Sequence, residues 1–228
     1  MYKMAQIIKK KQYKISKSPK EHILKGGGLK ANTLQLLLEA TYTGNEVDGF
    51  AIDKSISTKE SRVFVSNSSG HIVISHIGTY NTFDWANNAM YGVFGDIGYK
   101  QTQRFKRAEK VQKLAEQKYG AENITTTGHS QGALLAQLLG GNTREIITLN
   151  GASRPQEVIY GNSKKNKQFN VRSDGDMVSA FQPLFQKSKR KDVIIKKESY
   201  NPIKEHRPDI LSRLDKNTII GKTNFFVS

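Results

Sequence analysis

Ile124-Thr-Thr-Thr-Gly-His-Ser-Gln-Gly-Ala-Leu-Leu-Ala-Gln-Leu-Leu-Gly140 is the stretch that decides the fold. A β-branched run leads in and an Ala/Leu run leads out, so a strand passes into a helix at Gly-His-Ser-Gln-Gly. Ser130 stands between Gly128 and Gly132 at that joint. This is the pattern of a nucleophile elbow, a sharp turn that pushes a serine hydroxyl out above a sheet. The glycines have a steric reason. A side chain two positions before or after the serine would collide across the turn.

A serine hydroxyl is a weak nucleophile at neutral pH and needs a base, which in turn needs an orienting acid. In elbow enzymes the chain order is Ser, then Asp or Glu, then His. The histidines are His22, His71, His76, His129 and His206, and only the last follows Ser130. His206 is therefore the candidate base, within Asn201-Pro-Ile-Lys-Glu-His-Arg-Pro208, a segment that reads as a loop. For the acid, Gln168-Phe-Asn-Val-Arg172 is a candidate strand and Ser-Asp-Gly-Asp-Met-Val-Ser179 follows it. Two carboxylates compete there. Asp174 precedes a glycine and reads as a turn residue. Asp176 adjoins Met177-Val178, at the edge of a core, and is the preferred choice with Asp174 as the alternative.

An oxyanion hole needs two N–H donors. One is the backbone N–H of Gln131, directly after the serine. The second is expected after an earlier strand. His71-Ile-Val-Ile-Ser-His-Ile-Gly-Thr79 is strongly apolar and ends in Gly-Thr, which makes the N–H of Thr79 the candidate.

Taken in order, Gly78-Thr79, Asp84-Trp85, Gly128-His129-Ser130-Gln131-Gly132-Ala133, Asp176-Met177-Val178-Ser179 and His206 resemble the motif series of the class 3 (fungal triacylglycerol) lipases. The match spans roughly residues 35 to 210. The resemblance implies an α/β-hydrolase fold, with a mostly parallel central sheet flanked by helices, and hydrolysis of lipid esters without a cofactor. It favours Asp176 over Asp174 and implies that His129 is not the triad base. Ile77, Gln131 and Ser179 depart from the arginine, leucine and proline usual at these places. None of the three removes a catalytic group, but they leave the preferred ester open.

The chain has 228 residues, enough for one domain with a sizeable core, and no cysteine, so packing rather than disulfides must hold it. No metal-ligand spacing is visible. Its formal net charge is +16, and residues 1–30 carry nine lysines against Glu21 alone, half of that excess. With Lys25-Gly-Gly-Gly-Leu-Lys30 as a hinge, residues 1–30 read as a flexible basic tail, and 31–228 as the hydrolase domain. Further basic clusters are Lys187, Lys189, Arg190, Lys191 and Lys196-Lys197. Such charge suits an anionic membrane surface and phospholipid substrates, at about 1 kcal/mol per basic residue. It equally attracts nucleic acid without specificity.

Leu24-Lys-Gly-Gly-Gly28 is similar to the Leu-x-Gly-Gly-x sites cut by adenovirus-type maturation proteases; a plain glycine linker is the simpler reading. There is no apolar leader at Met1–Lys10 and no run of about 18 apolar residues. The expected location is thus cytoplasmic, or virion-associated if that site is cut. The segment from Trp85 to Tyr99, with Tyr91 and Phe94, is a candidate lid or acyl-pocket wall; ordinary core residues are the alternative. Two other functional classes fit the same residues. One is a catalytically silent hydrolase fold that binds membrane or nucleic acid through its basic surface. The other is an acyltransferase or peptidase using the same triad.

Overall fold

The run Ile124–Thr127 does form a strand, and it is the middle one of seven. The computed structural model describes residues 28–78, 100, 102–151, 168–180 and 191–221. In chain order the strands are β1 (Leu29–Lys30), β2 (Phe50–Ile52), β3 (Ser61–Ser66), β4 (Ile72–His76), β5 (Ile124–His129), β6 (Glu145–Leu149), β7 (Gln168–Ser173), β8 (Lys191–Ile195) and β9 (Ile219–Ile220). The helices are α1 (Ala31–Thr43), α2 (Gln103–Tyr119), α3 (Gln131–Leu139) and the short α4 (Pro202–Glu205). A 3-10 turn over Pro208–Arg213 follows α4.

The main sheet runs β2-β3-β4-β5-β6-β7-β8. A hairpin around Asn67–Gly70 joins β3 to β4 antiparallel, and β4 through β8 pair in parallel. Every residue of β4, β5 and β6 is buried, as both faces of a parallel sheet must be. Side chains alternate between the two faces. Val73, Ile147, Leu149, Phe169 and Val171 pack with Leu34, Leu37 and Leu38 of α1 and with Ile210 and Leu211. Ile72, Ile74 and Ile124 face the other way, onto Val111 and Ala115 of α2. An apolar stripe of α2 therefore meets the sheet, and Phe105 and Ala108 of the same stripe hold Leu135 of α3.

The start of α1 has neither Asn32 nor Thr33 as its N-cap. The helix begins at Ala31, and its cap position, Lys30, makes no side-chain bond. The Ala31 N–H instead donates to the Thr218 carbonyl at 2.9 Å, so the chain's far end does the work of a capping side chain. The flexible tail also cannot extend to residue 30. Leu29 is fully buried and pairs with Ile220 in β1–β9, while Lys30 pairs with Ile219. Residues 1–27 lie outside the described residues, as do the cluster Lys187–Arg190 and the candidate lid residues Trp85, Tyr91 and Phe94. Among the described residues no helix is long and apolar enough to cross a membrane, and no group of three or more His, Cys, Asp or Glu could hold a metal ion.

His71 and His76 are buried on β4 and the turn before it. Burial, with Arg144 near the first and Arg104 near the second, lowers them from 6.5 to about 4 and about 3. The unfolded chain binds protons at these groups below about pH 6.5, and the folded chain does not. Stability is thus full above that pH and falls as pH drops toward their folded values. The expected loss at pH 5 is about 2 kcal/mol per histidine. Urea unfolding midpoints at pH 7.5 and pH 5 measure it; equal midpoints would contradict the buried neutral state.

Candidate active site

The carboxyl ends of β4 to β7 converge where an open parallel sheet ordinarily receives its ligand. At the end of β5 the chain turns through Ser130, whose φ of 58° and ψ of −123° lie where a non-glycine residue is strained. The turn is held because the Ser130 N–H donates to the Leu149 carbonyl at 3.0 Å, at the end of β6. Its glycines are packed as the sequence predicts. A Cβ on Gly128 would lie 2.2 Å from the Gly132 carbonyl oxygen, and one on Gly132 would lie 2.1 Å from that of His76. Three stretches of backbone touch here with no side chain between them.

Gly78, just past β4, lies against the same serine. A Cβ there would be 2.8 Å from the Ser130 Cβ and 2.7 Å from the Tyr42 hydroxyl oxygen. Arg104 of α2 fixes this strand end by donating to the carbonyls of Ile77 and Gly78, the latter at 3.1 Å. Thr79 is the next residue and lies outside the described residues. Gln131 is the first residue of α3.

His206 closes α4, a single turn begun by Pro202 and capped by Asn201, whose Oδ1 accepts the Ile203 N–H at 3.0 Å. The segment read as a loop is therefore one turn of helix ending on the histidine. His206 Nδ1 lies 2.7 Å from Asp176 Oδ1. A carboxylate accepts, so Nδ1 carries the proton and Nε2 of the neutral ring carries the lone pair. Asp176 is buried and takes further N–H bonds from Val178 at 3.3 Å and Ser179 at 2.9 Å, which fix its orientation. Asp174 points elsewhere. Its Oδ1 accepts the Lys197 backbone N–H at 2.5 Å.

His129 does not meet Asp176; it ties the elbow to its surroundings. Its Nε2 lies 2.5 Å from the His206 carbonyl oxygen, and its Nδ1 lies 2.8 Å from the Tyr42 hydroxyl. The carbonyl can only accept, so Nε2 donates and Nδ1 accepts from Tyr42. The Tyr42 oxygen in turn accepts the Gly78 N–H at 2.7 Å. A directional chain of bonds thus links the end of β4 to the backbone of His206. Burial, and then the neighbouring His206, push His129 down to about 3, so this chain keeps its neutral tautomer. The two imidazole centroids are 4.8 Å apart.

Behind His206 sits Glu205, fully buried. It accepts from Arg213 at 2.7 and 3.1 Å, from the N–H groups of Glu198 and Ser199 at 3.1 and 2.8 Å, and from the Ser173 hydroxyl. Burial pushes its carboxyl up, but the Arg213 and Ser173 bonds outweigh that and hold it at about 2. Asn150, with φ of 45°, joins the ends of β6 and β7 to this turn. It accepts the Ser173 N–H at 3.0 Å and donates to the Glu205 carbonyl at 2.9 Å. Tyr42, Arg104, Asn150, Glu205 and Arg213 escaped the sequence reading. The position of Glu205 directly before His206 was the one local hint.

No protein-family model matches the sequence, and no curated protein matches it. Solved structures do match. A Rhizomucor miehei lipase in a propeptide complex superposes with a TM-score of 0.53 at 14% identity, over 81% of this chain and 76% of that one. A triacylglycerol lipase from Penicillium expansum gives 0.48 at 16% identity, over 73% and 76%. An α/β serine hydrolase homologue from Coxiella burnetii gives 0.37 at 16%, over 75% and 99%. The fold is an α/β-hydrolase fold. The likeness in fold to the Rhizomucor miehei lipase is consistent with the class 3 resemblance of the motifs.

Gly132→Ala should cost about 3 kcal/mol or more, because its methyl meets backbone that cannot step aside. Gly70→Ala, where a Cβ meets nothing within 4 Å, should cost only about 1–2 kcal/mol for its φ of +68°. Urea midpoints of the two variants give the comparison. Glu205→Gln leaves Arg213 only the exposed Glu198 as an ion-pair partner, at 3.3 Å, and should cost about 2–3 kcal/mol, read in the same way.

Proposed function

We propose that the protein is a serine hydrolase of lipase type that cleaves carboxylic esters of lipids through an acyl-enzyme. The observation that carries this reading is the 2.7 Å contact of His206 Nδ1 with Asp176, in a turn bonded to the residue before an elbow serine. Ser130 Oγ attacks the ester carbonyl while His206 Nε2 takes its proton. Asp176 holds the ring in the tautomer that leaves Nε2 basic and stabilises the imidazolium without taking the proton itself. The N–H groups of Gln131 and Thr79 hold the oxyanion, each worth about 3 kcal/mol in the transition state. His206 then returns the proton to the leaving alcohol. A water molecule repeats the sequence, releasing the acid and Ser130.

The residue chemistry calls for no cofactor. Acylglycerols and phospholipids are the substrate class, with phospholipid favoured because the chain carries a net charge of +16. Lys196 and Lys197 are exposed near the His206 turn and suit an anionic surface. Trp85, Tyr91 and Phe94 are the proposed acyl-pocket or lid residues.

The test is hydrolysis of short-chain and long-chain esters and of anionic phospholipid vesicles. Ser130→Ala and His206→Ala should each lower kcat about 10⁴-fold or more, and Asp176→Asn by roughly 10³- to 10⁴-fold. Activity that survives Ser130→Ala sinks the assignment. A wild-type chain that turns over no ester would instead be a binding protein on a hydrolase fold.

A further inference from the structure

Glu145 opens β6 at the end of the sheet remote from Ser130, and the ester chemistry gives it no task. It is fully buried. Its Oε1 accepts the Gly28 backbone N–H at 2.8 Å and the Thr125 hydroxyl at 2.9 Å. Thr125 Oγ1 in turn lies 2.8 Å from His71 Nε2. Two glycines close on the carboxylate. A Cβ on Gly28, where φ is +86°, would lie 2.7 Å from Ile219 Cγ2. One on Gly221, where φ is +124°, would lie 2.6 Å from Glu145 Oε2 and 2.6 Å from Gly28 Cα. The backbone nitrogen of residue 28 is thus seated on a buried carboxylate in a cradle that admits only glycine. That glycine is the last residue of Leu24-Lys-Gly-Gly-Gly28.

We propose that the Gly27–Gly28 bond is a proteolytic processing site, and that the Glu145 pocket receives the α-ammonium of Gly28 once it is cut. Water adds across the amide, so Gly27 departs as a carboxylate and Gly28 gains the ammonium. The catalyst is a separate endopeptidase that accepts Leu-x-Gly-Gly, because Ser130 lies at the opposite end of the sheet. The inference is independent of the esterase reading. Cleavage requires a local opening of β1 from β9, which pair at Leu29↔Ile220 and Lys30↔Ile219, to expose the bond. The desolvation cost of the carboxylate is already incurred in the uncut chain. Replacing a neutral donor by a charged one then strengthens an existing bond. The cut also removes eight lysines and Glu21, a net seven of the sixteen positive charges.

The test keeps the full chain and exchanges residues 24–27 for the recognition sequence of a site-specific protease that cuts directly before Gly28. Urea unfolding is measured before and after cutting, with Glu145 intact and in Glu145→Gln. Cutting should shift the unfolding equilibrium at least tenfold toward the folded state with Glu145, about 1.4 kcal/mol, and less than twofold in Glu145→Gln. A version cut one residue earlier, beginning at Gly27, should lose the gain. That comparison stands even if Glu145→Gln does not fold. No gain at Gly28, or the same gain in all versions, overturns the ammonium pocket. Separately, the unaltered chain is incubated with an adenovirus-type maturation protease and weighed. A product beginning at Gly28 supports the site; an intact chain, or a cut elsewhere, overturns it.

Discussion

The close approach of backbone to backbone at Gly128 and Gly132 is the constraint on which the rest of the structure depends. A carbon atom added at either would sit about 2 Å from a carbonyl oxygen, well inside van der Waals contact. Because nothing is there, α3 can start directly above the end of β5 and pack across β4. That contact forces Ser130 into a positive φ and presents its side chain at the carboxyl edge of the sheet. The strain is balanced by ordinary bonds, chiefly the Ser130 N–H to Leu149, and by the apolar packing of α3 around Leu135.

Around this turn the protein uses buried polar groups as fixed struts. Gly78, Tyr42, His129 and the His206 carbonyl form one chain in which every donor has a defined acceptor. Glu205, Arg213, Ser173 and Asn150 form a second, clamping the His206 turn from behind. In low-dielectric surroundings such bonds are stiff, and an unmet partner is costly, so the two chains confine the imidazole of His206 to a narrow range of positions. Asp176 adds the third restraint, from the side. The geometry resembles a tripod, with one leg on β4, one on β7 and one on the turn after α4.

Much of this was legible in the residue order. The elbow announces itself through β-branched residues before Ser130, Ala and Leu after it, and glycines where carbon atoms cannot fit. Asp176 could be preferred over Asp174 because one adjoins Met177-Val178 and the other precedes a turn glycine. Tyr42 and Arg104 carried no such signal, since each acts across the fold on backbone atoms that any residue could supply. The N-cap of α1 is silent in the sequence for the same reason. The Thr218 carbonyl serves it, and a backbone acceptor leaves no mark in the sequence.

The sequence by itself determined the central strands and the helices that cover them, the elbow and the candidates for acyl-transfer chemistry. Those follow from local sterics, periodicity and side-chain type. Only the tertiary structure decided which partners meet. Residues 176 and 206 come within hydrogen-bond distance, His129 joins them through a carbonyl, and Gly28 reaches Glu145 across 117 positions of chain. Such pairings are set by the packing of distant elements around a shared core, and local sequence holds no record of how far the chain must travel to make them.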